Sequence, residues 1–112
     1  MRPKWMLLLL AMAACALLAA AQSAKQKQTA DVAKGKTVFA QCSVCHIAES
    51  ASRKVGPGFK GLFKRAKLAN GKPMTEANVR ATIDSGGNGM PPYRQALSAA
   101  EQDALIAYLK TL

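Results

Sequence analysis

The sequence is poor in acidic, aromatic and imidazole side chains. Its 112 residues hold 6 Asp and Glu against 16 Lys and Arg, and they include one Trp, two Tyr, three Phe and a single His. A length of 112 residues allows one domain, which excludes a two-domain enzyme or a repeat array. The net charge of +10 suits an anionic partner. The scarcity of aromatic side chains argues against nucleic acid as this partner.

The first 21 residues have the pattern of a secretory signal peptide. A basic start at Arg2 and Lys4 precedes a long apolar stretch that ends in three alanines, which is the order of regions in such signals. We expect cleavage after Ala21, with Ala24 as the other candidate position. An uncleaved anchor is the alternative, because the uncharged run 5–24 is just long enough to span a bilayer.

Cys15 offers a third interpretation of the same segment, since Met12 to Cys15 resembles a lipoprotein cleavage box. The residues after Cys15 are apolar where a polar tether is expected, so we prefer the signal peptide. We then predict a flexible tether over residues 22–29 and a folded domain over residues 30–112. The exported protein would lie in the periplasm, or be anchored to the membrane if the signal were retained.

Removing the predicted signal peptide leaves a chain with few large apolar side chains. The remaining 91 residues carry 14 basic and 6 acidic side chains, a net charge of +8, and only 17 of them are Leu, Ile, Val or Phe. A share of these residues below about 20% together with a high net charge is typical of disordered chains. A folded domain of this composition therefore needs something outside the sequence to complete its core.

The periodicity of this chain predicts helices and no strands. Apolar residues fall on one helical face from about residue 30 to residue 41. A second helix is expected from a cap at Thr75 to the glycines that follow Ser85. The third follows a capping box formed by Ser98 and Glu101. We predict an all-α fold.

Cys42, Cys45 and His46 form the most informative motif, because C-x-x-C-H is the spacing of covalent c-type haem attachment. Two thiols three residues apart on one turn can add to the two vinyl groups on one side of a porphyrin. The next residue is then carried under the ring, where its imidazole can bind iron.

Other uses of the same three residues explain less. A structural zinc site takes four ligands, usually Cys and His, and the chain after cleavage has only these three. A thioredoxin-like C-x-x-C belongs to a βαβ pattern, which is absent. A disulfide explains neither His46 nor the missing core. A covalently attached haem c explains both, because a buried porphyrin supplies a large apolar surface.

Met90 is the predicted second iron ligand. Glycines precede it and prolines follow it, so the backbone can approach a flat ligand closely while the direction of the side chain is fixed. Met74 precedes a helix cap, where packing against the helix is the simpler interpretation. An open or water-bound sixth position is the remaining alternative. His46 and Met90 together would favour one-electron transfer and raise the reduction potential.

These motifs resemble the small monohaem c-type cytochromes of the bacterial periplasmic type, which have an N-terminal C-x-x-C-H and a distal Met. The resemblance covers nearly all of residues 30–112. It implies a small cytochrome c fold, with three to four helices wrapped around one covalently attached haem. It further implies thioether bonds at Cys42 and Cys45, with His46 as the proximal ligand and Met90 as the distal ligand. Its remaining elements are Gly35, Phe39, Gly56-Pro57, Gly61-Leu62-Phe63, Arg65 and Ala107-Tyr108-Leu109.

The resemblance also assigns three supporting roles. The Pro57 carbonyl would accept a hydrogen bond from the other ring nitrogen of His46 and so orient the ligand. Arg65 would lie near a haem propionate. Gly35 and Phe39 would pack against the C-terminal helix where the terminal helices cross.

The implied function is one-electron transfer between periplasmic or membrane redox partners, by an electron-transfer protein and not an enzyme. We expect a monomer that binds no nucleic acid and is not inserted in the membrane once the signal is cleaved. A haem-c subunit of a dehydrogenase or oxidase complex is the alternative, followed by a haem peroxidase or a gas sensor with an open sixth position. Exposed lysines would face partners with acidic docking patches through weak, salt-sensitive contacts. These lysines are Lys54, Lys60, Lys64, Lys67 and Lys72.

Overall fold

The computed structural model describes residues 3–112 and contains three α-helices. They are α1 (Pro3–Phe39), α2 (Glu76–Ser85) and α3 (Ala99–Leu109), with a short 3-10 turn at Leu62–Lys64. Residues 3–112 contain two isolated β-bridges and no β-strand. The prediction of an all-α fold is confirmed.

The chain divides into two compact units, Met1–Ala30 and Asp31–Leu112. In the first unit, helix α1 extends over residues 22–29, for which the sequence pattern indicated a tether. The cause is intrinsic propensity, because this segment is rich in Gln and Lys, both of which are good helix formers. The proposed boundaries of signal peptide, tether and domain stay predictions.

Within residues 3–112, α1 is the one helix long and apolar enough to cross a membrane. Every residue described in the first unit is exposed. A long apolar N-terminal helix of this kind fits either a signal sequence or an anchor.

Helices α2 and α3 begin at the predicted caps. The Thr75 hydroxyl accepts a hydrogen bond from the Asn78 backbone N–H at 3.1 Å, and α2 ends at Gly86, which has a φ of 64°. Ser98 and Glu101 form the expected capping box. The Ser98 hydroxyl accepts from the Glu101 N–H at 3.2 Å, and the Glu101 carboxylate accepts from the Ser98 N–H at 2.8 Å.

The end of α1 crosses α3 at Gly35. A Cβ atom placed on Gly35 would lie 1.9 Å from the Ala104 carbonyl oxygen and 2.7 Å from the Tyr108 Cβ, so only glycine permits this approach. One turn further along α1, the Phe39 ring lies 5.6 Å from the Tyr108 ring between centroids. The crossing of the terminal helices that the resemblance implied is present.

The core of the second unit is small. It is formed by the end of α1, the 3-10 turn, α2 and α3. Its largest fully buried side chains are Leu105 and Ile106. Its members are Val38, Phe39, Leu62, Val79, Ile83, Leu97, Leu105, Ile106, Tyr108 and Leu109.

Candidate functional site

A cavity of about 280 Å³ in the second unit brings the predicted site residues together. Met74 is partly buried against the core and does not line this cavity. All six predicted residues do line it, namely Cys42, Cys45, His46, Pro57, Arg65 and Met90.

The cysteine motif lies in a series of tight turns directly after α1 ends at Phe39. The backbone N–H groups of Cys45 and His46 both donate to the Cys42 carbonyl, at 3.1 and 3.0 Å. This arrangement keeps the two thiols and the imidazole on one turn of the chain. Both cysteines are free and partly buried. Burial, reinforced by the neighbouring Cys45, raises the pKa of Cys42.

His46 is buried and held by a hydrogen bond from its ring. Its Nδ1 lies 2.8 Å from the Pro57 carbonyl oxygen. Because a carbonyl oxygen only accepts, Nδ1 carries the proton and Nε2 keeps a free lone pair. The hydrogen bond implied by the resemblance is therefore present, and it leaves Nε2 as a ready metal ligand.

Two neighbours of His46 were not predicted. The Phe59 ring stacks on the imidazole, with 4.4 Å between centroids and 21° between planes. Gly56 lies against the same ring, because a Cβ there would be 2.4 Å from Cε1 of His46. Gly56 adjoins Pro57, whose carbonyl was expected to meet the His46 ring, and this adjacency was the sequence signal that could have indicated the Gly56 contact.

Arg65 spans the loop that follows Pro57. One guanidinium nitrogen donates to the Gly58 carbonyl at 2.7 Å and to the Lys60 carbonyl at 2.9 Å. Arg65 also lines the cavity, together with Arg53 and Lys67. No Asp or Glu of residues 3–112 is among the lining side chains, so this wall of the cavity is cationic.

Met90 is presented by a loop of unusual backbone conformation. Four consecutive residues have positive φ, with values of 64°, 130°, 52° and 90° for residues 86–89. Three of them are glycine, which adopts this region freely, and Asn88 is of a type that tolerates it. Gly87 and Met90 exchange backbone hydrogen bonds at 2.9 and 3.0 Å, which closes the loop into a tight turn.

The chemistry of this cavity fits a haem. Residues 3–112 contain no group of three or more His, Cys, Asp or Glu side chains that could hold a metal ion without another ligand. An imidazole and a thioether line the same cavity, which leaves the other coordination positions to a planar macrocycle. Two thiols lie close by, cationic side chains suit its carboxylates, and much of the wall is apolar. That wall includes Leu62, Leu68, Val79, Ile83, Leu105 and Leu109.

Comparison with known proteins agrees with this chemistry. The family model described as cytochrome c oxidase, cbb3-type, subunit III matches residues 30–109. The chain belongs to this family of c-type cytochromes. It follows that the cytochrome carries one covalently attached haem c and is an electron-transfer protein, not an enzyme.

Three relatives illustrate the similarity. The cytochrome is 47% identical over 97 residues to a cytochrome c2 of Blastochloris viridis, covering 71% of this chain and 76% of the relative. It is 34% identical over 99 residues to a cytochrome c2 of Agrobacterium tumefaciens (strain II Chrys), covering 70% and 89%. It is 36% identical over 81 residues to a cytochrome c6 of Leptolyngbya boryana, covering 71% and 91%.

Proposed function

We propose that this cytochrome holds its haem through Cys42, Cys45, His46 and Met90 and exchanges single electrons with partners in the periplasm. The observation that carries the proposal is the convergence of these four side chains on one cavity. Haem iron, when bound, supplies the one-electron change between its ferric and ferrous forms. The residues of the chain determine how the haem is attached and ligated and how redox partners approach it.

Cys42 and Cys45 would attach the group by adding their thiols across its vinyl substituents. The shared hydrogen bonds to the Cys42 carbonyl keep both thiols on the same turn as His46. Attachment there would place the group beside the imidazole. His46 would then ligate through Nε2, because the Pro57 carbonyl holds the proton on Nδ1.

Met90 would provide the second axial ligand. Its thioether sulfur is soft and favours the reduced form, which raises the reduction potential. If His46 and Met90 both ligated the iron, a peroxidase or a gas sensor would be disfavoured, because each needs an open coordination position. The position of Met74 outside the cavity lining supports the choice of Met90 for this role.

Arg65 would neutralise a propionate at the cationic wall. Its bonds to the Gly58 and Lys60 carbonyls involve one terminal nitrogen, and a guanidinium has five N–H donors in all. The other donors can serve a carboxylate, with Arg53 and Lys67 adding positive charge nearby.

A basic surface for docking would come from the long segment over residues 47–73. This segment contains seven Lys and Arg residues but only one acidic residue, Glu49. The five lysines of this segment named above as examples of a basic surface are all exposed. Acidic side chains of α2 and α3, by contrast, pair within the fold, as Glu76 does with Lys110. A partner with an acidic patch would therefore meet this segment, and the encounter would weaken as salt is added.

The family description favours a second candidate, a haem-c subunit of an oxidase complex. The two are separated by the salt dependence of electron transfer to a purified acidic redox partner. A freely diffusing monomer slows as ionic strength rises, whereas a subunit in a fixed complex transfers electrons at a rate that salt leaves unchanged.

The ligand assignment is tested by substituting the two methionines of the predicted mature chain in turn. We expect Met90→Ala to change the visible spectrum of the ferric cytochrome and to lower its reduction potential, because a thioether ligand is lost. Met74→Ala, the matched control, should leave both unchanged. A Met90→Ala protein with the wild-type spectrum and potential would refute the assignment.

A further inference from the structure

The Met90 loop is attached at both ends to the last turn of α2. At its start, the Gly86 N–H donates to the Thr82 carbonyl at 2.8 Å. At its end, the Tyr93 N–H donates to the Ile83 carbonyl at 2.9 Å, and the Arg94 N–H lies 3.4 Å from the Asp84 carbonyl. The position of Met90 therefore follows the position of residues 82–84.

Between these attachments the loop has little support of its own. Residues 87–89 are exposed, and a Cβ added at Gly87 or Gly89 would meet no atom within 4 Å. The loop holds its shape through its backbone conformation and the Gly87–Met90 hydrogen bonds. Whatever fixes the end of α2 thus controls where the Met90 side chain lies.

A buried amide on α3 fixes that end of α2. Gln102 is only 6% exposed, and its Nε2 donates to the Asp84 carboxylate at 2.7 Å. Its Oε1 accepts from Arg80 at 3.5 Å, and Arg80 is in turn paired with Asp103. A carboxylate only accepts and a guanidinium only donates, so the two partners leave Gln102 a single amide orientation.

We propose that Gln102 is a positioning residue for Met90. By holding Asp84 it fixes the end of α2, and so determines how firmly the Met90 sulfur stays on the haem iron. This inference rests on the proposed ligation by Met90. It adds a residue of α3 that does not line the cavity and acts through the end of α2 to which the Met90 loop is attached.

The test is the affinity of the haem-loaded ferric cytochrome for added imidazole, which competes with Met90 for the iron. We expect Gln102→Met, which keeps the side-chain volume but loses both hydrogen bonds, to strengthen imidazole binding by about fivefold, at the lower end of coupling between linked sites. Gln102→Glu should act in the same direction, because its carboxylate cannot donate to Asp84 and repels it. The double substitution Asp84→Asn with Gln102→Glu restores a donor and an acceptor and should return the affinity towards that of the wild type.

Glu76→Gln is the matched control. Glu76 pairs with Lys110 and so links α2 to α3 as Gln102 does, but it lies at the opposite end of α2 from the Met90 loop. It should lower the melting temperature slightly and leave the imidazole affinity unchanged.

Three outcomes decide between the hypotheses. If both Gln102 variants melt at a lower temperature but bind imidazole as the wild type does, Gln102 is only structural and the inference is wrong. If the double substitution fails to reverse Gln102→Glu, the Asp84 contact is not the route and the inference is also wrong. If Met90→Ala binds imidazole no more tightly than the wild type, the failure is that of the ligand assignment itself.

Discussion

The two segments that present the proposed haem ligands, His46 and Met90, are built in different ways. His46 is buried, is hydrogen-bonded to Pro57 and is stacked on Phe59. Met90 is partly exposed and is carried by four residues in the left-handed region of backbone space. Tertiary packing fixes the histidine, whereas backbone conformation and distant anchors fix the methionine. We accordingly expect Met90 to be the more easily displaced of the two proposed ligands.

Loss of the haem should have the largest effect, because it affects both ligand segments at once. The double substitution Cys42→Ala with Cys45→Ala removes covalent attachment, and the few large apolar residues of the chain then surround an empty cavity. We expect low helicity over the folded unit and no cooperative melt, as measured by far-ultraviolet circular dichroism with heating. A cooperative transition in the haem-free chain would show that the core is sufficient alone.

Overpacking beside the histidine should have the next largest effect. Gly56→Ala introduces a Cβ that would lie 2.4 Å from the His46 ring, and overpacking of this kind costs about 1–3 kcal/mol of unfolding free energy. The denaturant midpoint should fall, and the NMR signals of the His46 ring should shift.

The control for this substitution is Gly58→Ala, whose Cβ would meet the Ser50 and Ser52 carbonyls. It should destabilise the fold as well, but with a smaller change at His46. Equal shifts of the His46 ring signals in both variants would contradict a specific role for Gly56.

Strain in the methionine loop should have a smaller effect on stability and a larger one on ligation. At Gly89, φ is 90° and an added Cβ has free space, so Gly89→Ala costs only backbone strain, about 1–2 kcal/mol. Part of that strain can be relieved by releasing Met90. We therefore expect the absorption that reports sulfur ligation of ferric iron to weaken.

Gly71→Ala is the matched control for Gly89→Ala. Gly71 has a φ of 83° and equally open surroundings, but it lies far along the chain from Met90. A similar loss of stability with an unchanged spectrum is expected. If both variants lost the absorption that reports sulfur ligation, strain in the Met90 loop would not be the cause of that loss.

The smallest expected effect arises at the capping box of α3, outside the segments that carry His46 and Met90. Hydrogen bonds from the Ser98 backbone and then its hydroxyl lower the pKa of Glu101. A lowered pKa in the folded state means that the stabilisation is present above the ordinary pKa of Glu and is lost as pH falls through the folded value. The melting temperature should therefore decline between about pH 5 and pH 3, and Glu101→Gln should flatten that part of the curve. An identical decline in the variant would exclude Glu101 as its source.

Local patterns accounted for much of the fold and for four of the cavity-lining residues, Cys42, Cys45, His46 and Met90. Thr75 and Ser98 cap their helices through neighbours in the sequence, so both were predictable. Met90 could be distinguished from Met74 because the glycines and prolines that shape its loop are adjacent to it. The roles of the six predicted residues in haem binding remain predictions that the experiments above address.

Contacts between distant segments were not predictable in this way. Phe59 reaches His46 only because the loop after Pro57 folds back over the imidazole. In the sequence, Gln102 is an ordinary polar residue of a helix. Its contact with Asp84 exists only because α2 packs against α3. The length of α1 was missed for another reason, since residues 22–29 are polar enough for a tether and also favour a helix.

The close approach at Gly35 ties completion of the cavity to the last helix. Gly35 lies at the start of the folded unit, and the backbone that it touches belongs to α3. The crossing cannot form until α3 packs against α1. Because Leu105 and Leu109 of α3 line the cavity, the cavity lacks one wall until the two ends of the folded unit have met.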